Sequence, residues 1–107
     1  MTRDISRTET NGTYTIHYYS SNKSFALYYK TSAGGWGVDI GRGEATNYYS
    51  FGPPYSATCS VQFFVSEGWK PTPDTQDEFP TLEEAANWII QVAETYFSQY
   101  GIPKRLQ

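Results

Sequence analysis

The first half of the chain alternates hydrophobic and polar residues with a period of two. In residues 13–19 and 24–30, large hydrophobic side chains stand at every second position, so they share one face of a strand. The SSNK segment between the two runs supplies turn-forming residues. A third alternating run covers residues 36–41, after the turn signal of Gly34 and Gly35. The pattern predicts three antiparallel strands joined in chain order.

The middle of the chain carries two further strand patterns. Residues 46–51 predict a short strand, followed by a turn at 52–55 that contains Gly-Pro-Pro. Residues 56–66 alternate throughout, so we expect a central strand with Val61 on one face and Phe64 on the other. Residues 67–80 contain three prolines and many turn formers, which predicts a loop.

The C-terminal segment has the clearest helical period. In residues 82–100, hydrophobic side chains recur at spacings of three and four. Thr81 and Glu84 match the capping box, and Gly101 with Pro103 ends the helix. Since one helix covers one face of a sheet, the predicted fold is α+β, with a four- to five-stranded antiparallel sheet and one C-terminal helix packed on one face.

Chain length and composition indicate one domain. A chain of 107 residues is an ordinary size for a single domain, and an aromatic content of 18% favours a core built largely from rings. Residues 1–11 are polar and aperiodic, so we predict a flexible N-terminal segment, or an edge segment that orders on contact. Residues 12–107 are then the single α+β domain.

Charge and cysteine content argue against several classes of function. Residues 67–84 contain six acidic side chains and one basic side chain, Lys70. The chain also lacks the clustered lysines and arginines that binding to duplex DNA requires. Cys59 is the one cysteine and is expected in the core, so no disulfide, metal site or cofactor is predicted. Because the chain also lacks a hydrophobic run of about 18 residues and a secretory signal, we expect a cytoplasmic protein without a membrane segment.

Two tyrosine doublets, Tyr18–Tyr19 and Tyr28–Tyr29, lie on the first two predicted strands. Consecutive strand residues point to opposite faces, so each doublet directs one ring toward the helix and one away from it. An uncovered aromatic face usually marks an interaction surface, although tyrosines also serve exposed sheets through strand propensity and cross-strand pairing. The predicted binding residues are His17, Tyr19, Tyr28, Lys30, Arg42, Tyr48, Tyr49 and Phe64.

These features favour a noncatalytic protein–protein interaction module that uses the aromatic sheet face. The partner would be a second copy of the chain, in a homodimer, or a larger protein for which this chain serves as an inhibitor or an adaptor. A small, aromatic chain of this kind also suits a virally encoded protein that blocks host defence.

The alternative function is binding of a nucleotide or of single-stranded nucleic acid. Tyr19, Tyr28 and Phe64 would stack on bases, and the predicted cationic contacts with phosphate would come from the histidine, lysine and arginine of the same set. Catalysis is disfavoured, because a lone strand histidine is rarely a general base and because Asp39 and Glu44 lie on different predicted segments.

Overall fold

The computed structural model describes residues 5–20, 23–32, 35, 37–47, 52–65 and 73–107. Six strands lie within these ranges: β1 (Ile5–Asn11), β2 (Tyr14–Tyr19), β3 (Ser24–Tyr29), β4 (Val38–Ala45), β5 (Tyr55–Cys59) and β6 (Asp74–Phe79). The helices are α1 (Gln62–Val65) and α2 (Leu82–Tyr100), and a 3-10 turn covers Lys104–Leu106.

The strands form one antiparallel sheet in the order β1-β2-β3-β4-β5-β6, so every strand pairs with its neighbours in sequence. The α2 helix packs across one face. The predicted α+β class is therefore confirmed, with six strands in place of four to five. Among the described helices, none is both long and apolar enough to cross a membrane.

Both additional strands lie at edges of the sheet. Residues 5–11, predicted as part of a flexible segment or of an edge segment that orders on contact, form β1, which pairs with β2 with one irregularity between Ile5 and Arg7. Residues 74–79, predicted as part of a loop, form β6, which pairs with β5. An edge strand has one neighbour and little need of a hydrophobic face, so periodicity in its sequence is weak.

The segment after β5 corrects the prediction of one long strand over residues 56–66. The strand ends at Cys59, and α1 begins at Gln62. Val61 and Gln62 are both fully buried. Successive strand residues would have pointed to opposite faces, whereas a helical turn directs both into the core. The strand predicted at 46–51 is wrong at its start, because Thr46 and Asn47 follow the end of β4 and belong to no strand. Residues 48–51 lie outside the described residues.

Local signals position α2 as predicted. The Thr81 hydroxyl accepts a hydrogen bond from the Glu84 backbone N–H at 3.1 Å. At the other end Gly101 has a φ of 81° and its N–H donates to the Phe97 carbonyl at 2.8 Å, which ends the helix in a conformation that glycine favours. The buried residues of α2 are Ala85, Ala86, Ile89, Ile90 and Ala93.

Two glycines in β4 let neighbouring groups approach closely on the face that α2 covers. A Cβ atom on Gly41 would lie 2.8 Å from Ile89 Cγ2 of α2. A Cβ atom on Gly43 would overlap the ring of Phe25 from the adjacent strand. The core cluster is built around these contacts, and Cys59 is fully buried within it, as predicted.

Candidate functional site

The sheet face opposite α2 contains most of the described residues that were predicted to bind a partner. We call it the distal face. Strand register and parity assign to it the following side chains: Ile5, Thr8, Thr10, Thr15, His17, Tyr19, Ser24, Ala26, Tyr28, Asp39, Arg42, Glu44, Ser56, Thr58 and Thr75. Most of these side chains are short and polar, so the larger ones among them stand out.

A row of paired residues crosses the centre of the distal face. It passes from Thr8 through His17, Ala26, Arg42 and Thr58 to Thr75, one residue from each strand. Such directly opposed residues have Cβ atoms about 4.5–5.5 Å apart, so the row is a continuous line of neighbouring side chains, of which His17 and Ala26 are buried.

His17 lies within this row and is almost fully buried, with 5% of its surface exposed. Its Nδ1 shares a 3.0 Å hydrogen bond with the hydroxyl of Thr8 on β1. Burial lowers the pKa of His17 below its ordinary value, because a charged imidazolium would be poorly solvated there. At neutral pH the residue is therefore a neutral hydrogen-bonding group, which makes it a poor cationic contact for phosphate.

Tyr28 is the large distal ring that remains accessible. It is half-buried, and its ring meets His17 edge-on with centroids 5.5 Å apart. Tyr19, in contrast, is only 8% exposed. The expectation that both outward tyrosines are open to solvent is thus wrong for Tyr19. β1, a strand that the sequence did not predict, pairs Ile5 with Tyr19 and so places a neighbour beside it.

Charged groups of both signs border the centre of the distal face. Arg42 and Glu44 are exposed two positions apart on β4, which places them on the same face. Asp39, on the same strand, is exposed, and its carboxylate accepts a hydrogen bond from the Gly41 N–H at 3.1 Å. Lys30 is exposed just beyond the end of β3. The face is therefore mixed in charge.

Phe64 does not belong to the distal face, which corrects its predicted position. It lies in α1, is half-buried and packs against the core cluster. The guanidinium of Arg105 stands 5.1 Å from its ring centroid. Tyr48 and Tyr49 lie outside the described residues. The structure thus brings together His17, Tyr19, Tyr28 and Arg42, with Lys30 at the margin.

Sequence reasoning missed a second surface feature, a groove between α2 and the edge strand β6. It is lined by Asp74, Trp88, Val92, Thr95, Tyr96, Gln99 and Tyr100. The spacing of Trp88, Tyr96 and Tyr100 was a usable signal, because residues four and eight apart share one side of a helix. Asp74 could not be placed beside them, since its segment was predicted to be a loop.

Sequence reasoning also missed an ion-pair cluster that joins β1 to the start of α2. Arg7 pairs with Glu83 and, at 3.1 Å, with Glu9, and its guanidinium lies 4.1 Å from the ring centroid of Tyr18. The hydrogen bond between Arg7 and Glu83 raises the pKa of the arginine and lowers the pKa of the glutamate. This cluster fixes an edge strand to the helix across a long separation in sequence.

Within the part of the chain that the structure describes, no group of three His, Cys, Asp or Glu side chains is placed to hold a metal ion. Comparisons of the chain with protein-family models, with curated proteins and with solved structures found no match.

Proposed function

We propose that the protein is a noncatalytic protein–protein interaction module and that its distal face joins two copies of the chain in a homodimer. The observation that carries this proposal is the composition of that face. It combines an accessible tyrosine ring with Arg42 and Glu44, which are both exposed and adjacent in one strand face. Tyrosine and arginine are residue types enriched at interfaces and in their energetic centres.

The charges favour a second copy over an unrelated partner. A twofold interface brings the same patch of both subunits together, so that residue i meets residue j and j meets i. Arg42 and Glu44 are suited to such an arrangement, because the arginine of one subunit would face the glutamate of the other. A partner of another sequence would have to supply the opposite pattern independently.

The sheet edges are less suitable for association than the distal face. β1 carries Arg7 and Glu9, and β6 carries Asp77 and Glu78. Charged side chains on an edge strand oppose pairing with another strand. Glu78 also has a φ of 73°, which interrupts the regular edge of β6.

The distal face has the dimensions of a small interface. Strands about 4.8 Å apart and about 17–20 Å long give a six-stranded face of roughly 24 by 18 Å, before side-chain relief is counted. A standard stable interface buries about 800 Å² on each partner. The distal face is smaller than this, so we expect a dimer that dissociates readily rather than a permanent one.

Charge reversal on β4 tests the proposed dimer. Sedimentation velocity on the wild-type chain should show a concentration-dependent dimer. Arg42→Glu and Glu44→Arg should each weaken it about tenfold or more, because each places like charges opposite one another. The variant with both changes restores opposite charges and should recover most of the association. Lys104→Glu, an exposed reversal outside the distal face, serves as the control.

Two results would contradict the homodimer. One is a wild-type chain that stays monomeric at about 1 mM. A dimer whose free energy of association is more favourable than about −4 kcal/mol would be substantially formed at that concentration. The other is a dimer that both single reversals leave unchanged, which would assign association to another surface. Tyr28→Ser should weaken the dimer as well, provided that far-UV circular dichroism shows the fold to be retained.

Nucleotide or single-stranded nucleic-acid binding remains the alternative function. Tyr28 offers a ring for stacking, and Arg42 lies in the neighbouring row of the distal face. Asp39 and Glu44 flank that arginine on β4 and would repel phosphate, so we rank this function second. Saturable binding of a mononucleotide that Tyr28→Ser abolishes would reverse the ranking.

A further inference from the structure

The turn between β1 and β2 contains an asparagine followed by a glycine. Asn11 is the last residue of β1 and pairs with Tyr14, the first residue of β2, so Gly12 and Thr13 form the loop. Asn11, Gly12 and Thr13 are all exposed. We call these three residues the β1–β2 turn. The backbone amide of Gly12 therefore follows the last paired residue of β1 and lies in an exposed loop.

This dipeptide is suited to a reaction of its own. Asparagine is a thermolabile residue, because the backbone nitrogen of the next residue can attack its side-chain carbonyl carbon and close a five-membered imide. A side chain on that next residue hinders the approach, and glycine has none. Among the described residues, no atom beyond its chain neighbours lies within 4 Å of the position that a Cβ of Gly12 would take. The described part of the fold therefore does not obstruct the attack.

We propose that Asn11 is a site of spontaneous deamidation and that its isoaspartyl product releases β1 from the sheet. The nitrogen of Gly12 loses its proton and bonds to Cγ of Asn11, and the side-chain amide leaves as ammonia. Water then opens the imide. Opening at the side-chain carbonyl yields aspartate, and opening at the backbone carbonyl yields isoaspartate, in which the chain continues through Cβ and Cγ. The net reaction consumes one water and releases one ammonia.

Isoaspartate changes the backbone of the β1–β2 turn. It adds a carbon atom to the main chain between residues 11 and 12, and the length of a hairpin loop fixes the register of its strands. The β2 side of the turn is fixed to β3, because the Thr13 carbonyl accepts a hydrogen bond from the Lys30 N–H at 2.7 Å. The added atom should therefore displace β1 rather than β2.

β1 is held by few other contacts that the structure describes. It pairs with one strand, and its ion pair to α2 joins Arg7 and Glu83, whose side chains are 47% and 49% exposed. Exposed ion pairs stabilise weakly, and strands at an edge open more readily than central ones. The side-chain hydrogen bond between Thr8 and His17 depends on the β1–β2 register that the added atom would disturb.

Release of β1 would make β2 the edge of the sheet. The sequence of β2, YTIHYY, contains no aspartate, glutamate, lysine or arginine of the kind that opposes pairing with a foreign strand. Deamidation would thus act as a slow and one-way change of the sheet edge. The inference does not depend on the proposed homodimer, because the β1–β2 turn does not include Arg42 or Glu44.

Peptide mapping by mass spectrometry tests the reaction in the folded protein, incubated in mildly alkaline buffer. Residue 11 should gain one mass unit with time, and electron-transfer fragmentation should identify isoaspartate there. Asn87 is the internal control, because it is exposed on α2 but is followed by the bulky Trp88. Conversion at Asn11 that is absent, or no faster than at Asn87, would overturn the proposal. Asn11→Gln should stay intact, because glutamine must close a six-membered ring, and an unchanged mass gain in this variant would refute the assignment.

Hydrogen exchange tests the release of β1. In the isoaspartyl form, separated by chromatography, the β1 amides should exchange at least about tenfold faster than in the unmodified protein, with β3 and β4 unchanged. Asn11→Asp is the matched control, because it adds the same charge two positions from Glu9 while the backbone stays normal, and it should keep β1 protected. Equal protection of β1 in both forms would contradict its release. Equal loss in both would assign the effect to charge and refute the role of the backbone.

Discussion

Replacement of Gly43 by alanine tests the closest packing contact of β4. An alanine Cβ would lie 2.6 Å from Phe25 Cζ, still nearer to Cε2 of that ring, and 2.9 Å from the Ser56 carbonyl oxygen. The backbone of Gly43 is not in the left-handed region, so alanine fits its conformation without strain. The change therefore isolates the effect of crowding.

The expected sign is opposite to that of an ordinary glycine-to-alanine change. Where alanine fits without a clash, it stabilises a protein by about 0.4–1 kcal/mol, because the unfolded chain loses freedom. At Gly43 the nearest ring carbon must move by about 1.2–1.7 Å to reach normal carbon contact at about 3.5–4.0 Å. Phe25 is 2% exposed and has little room, so crowding should cost about 1–3 kcal/mol. The midpoints of these two ranges leave a net loss of about 1.3 kcal/mol.

Urea unfolding followed by far-UV circular dichroism measures this loss as a lower midpoint at unchanged slope. Phe25→Leu removes both ring carbons that the new methyl group meets. In that background, Gly43→Ala should cost at least about 1 kcal/mol less than in the wild type, and the double-mutant cycle reports the coupling. A Gly43→Ala protein as stable as the wild type, or more stable, would refute the packing described for β4.

Two further predictions concern pH and helix capping. The pKa of His17 is lowered below 6.5 in the native state, so below about pH 6.5 the unfolded chain binds a proton that the native chain does not. The free energy of unfolding should therefore fall as pH drops from about 6.5 toward the native pKa, by up to about 1.4 kcal/mol per pH unit. Urea unfolding across this range should show that His17→Gln removes the dependence, and an equal dependence in the variant would contradict this assignment. Thr81→Ala should cost about 1 kcal/mol through loss of the N-cap bond. Thr95→Ala removes a hydroxyl that donates to a carbonyl within α2 and should cost less than about 0.5 kcal/mol, so equal losses at both threonines would argue against the cap.

The sequence predicted well those elements whose signals are local. The N-cap at Thr81 and the glycine at 101 bound α2 as expected, and alternation over residues 14–29 predicted the hairpin of the aromatic strands β2 and β3. In each case the residues that decide the structure lie within a few positions of one another, so their pattern is readable without tertiary information.

The elements that were missed depend on distant partners. β1 is polar, and its contact with α2 comes from the pairing of Arg7 with Glu83, a separation that no local pattern reveals. β6 was hidden by its charges and by the prolines around it. The strand predicted over residues 56–66 failed because alternation continues past Cys59, although the chain there turns into α1. Hydrophobic alternation alone does not indicate where the strand ends and the helix begins.

The sequence predicted to which face of the sheet the candidate site residues point, but not how exposed their side chains are. Strand parity correctly assigned His17, Tyr19 and Tyr28 to the face away from α2. Strand parity gives the face of a side chain but not its exposure, which is low for His17 and Tyr19 and higher for Tyr28. The groove between α2 and β6 is formed by a helix and by a strand that the sequence did not predict. Asp74 could therefore not be placed beside the rings of α2 from the sequence alone.

The inner rings of the tyrosine doublets are explained by the volume available beneath the sheet. The buried face of α2 is rich in alanine, and it approaches Gly41 of β4 closely through Ile89. A core must be filled to uniform density, so large side chains on β2 and β3 complement the small ones on α2 and β4. Tyr29 shows this, since its ring meets Phe97 of α2 at 5.3 Å between centroids.

This packing divides each doublet into two separate roles. Tyr18 and Tyr29 are buried in the core, so their replacement should lower stability before it affects any association. Tyr19 is buried beside β1, so it belongs with them in this respect. Tyr28 is then the one doublet ring in the described residues that is accessible enough to contact a partner. Recognition by the distal face should therefore depend on Tyr28 and on the charges of β4, and not on the number of tyrosines in the sheet.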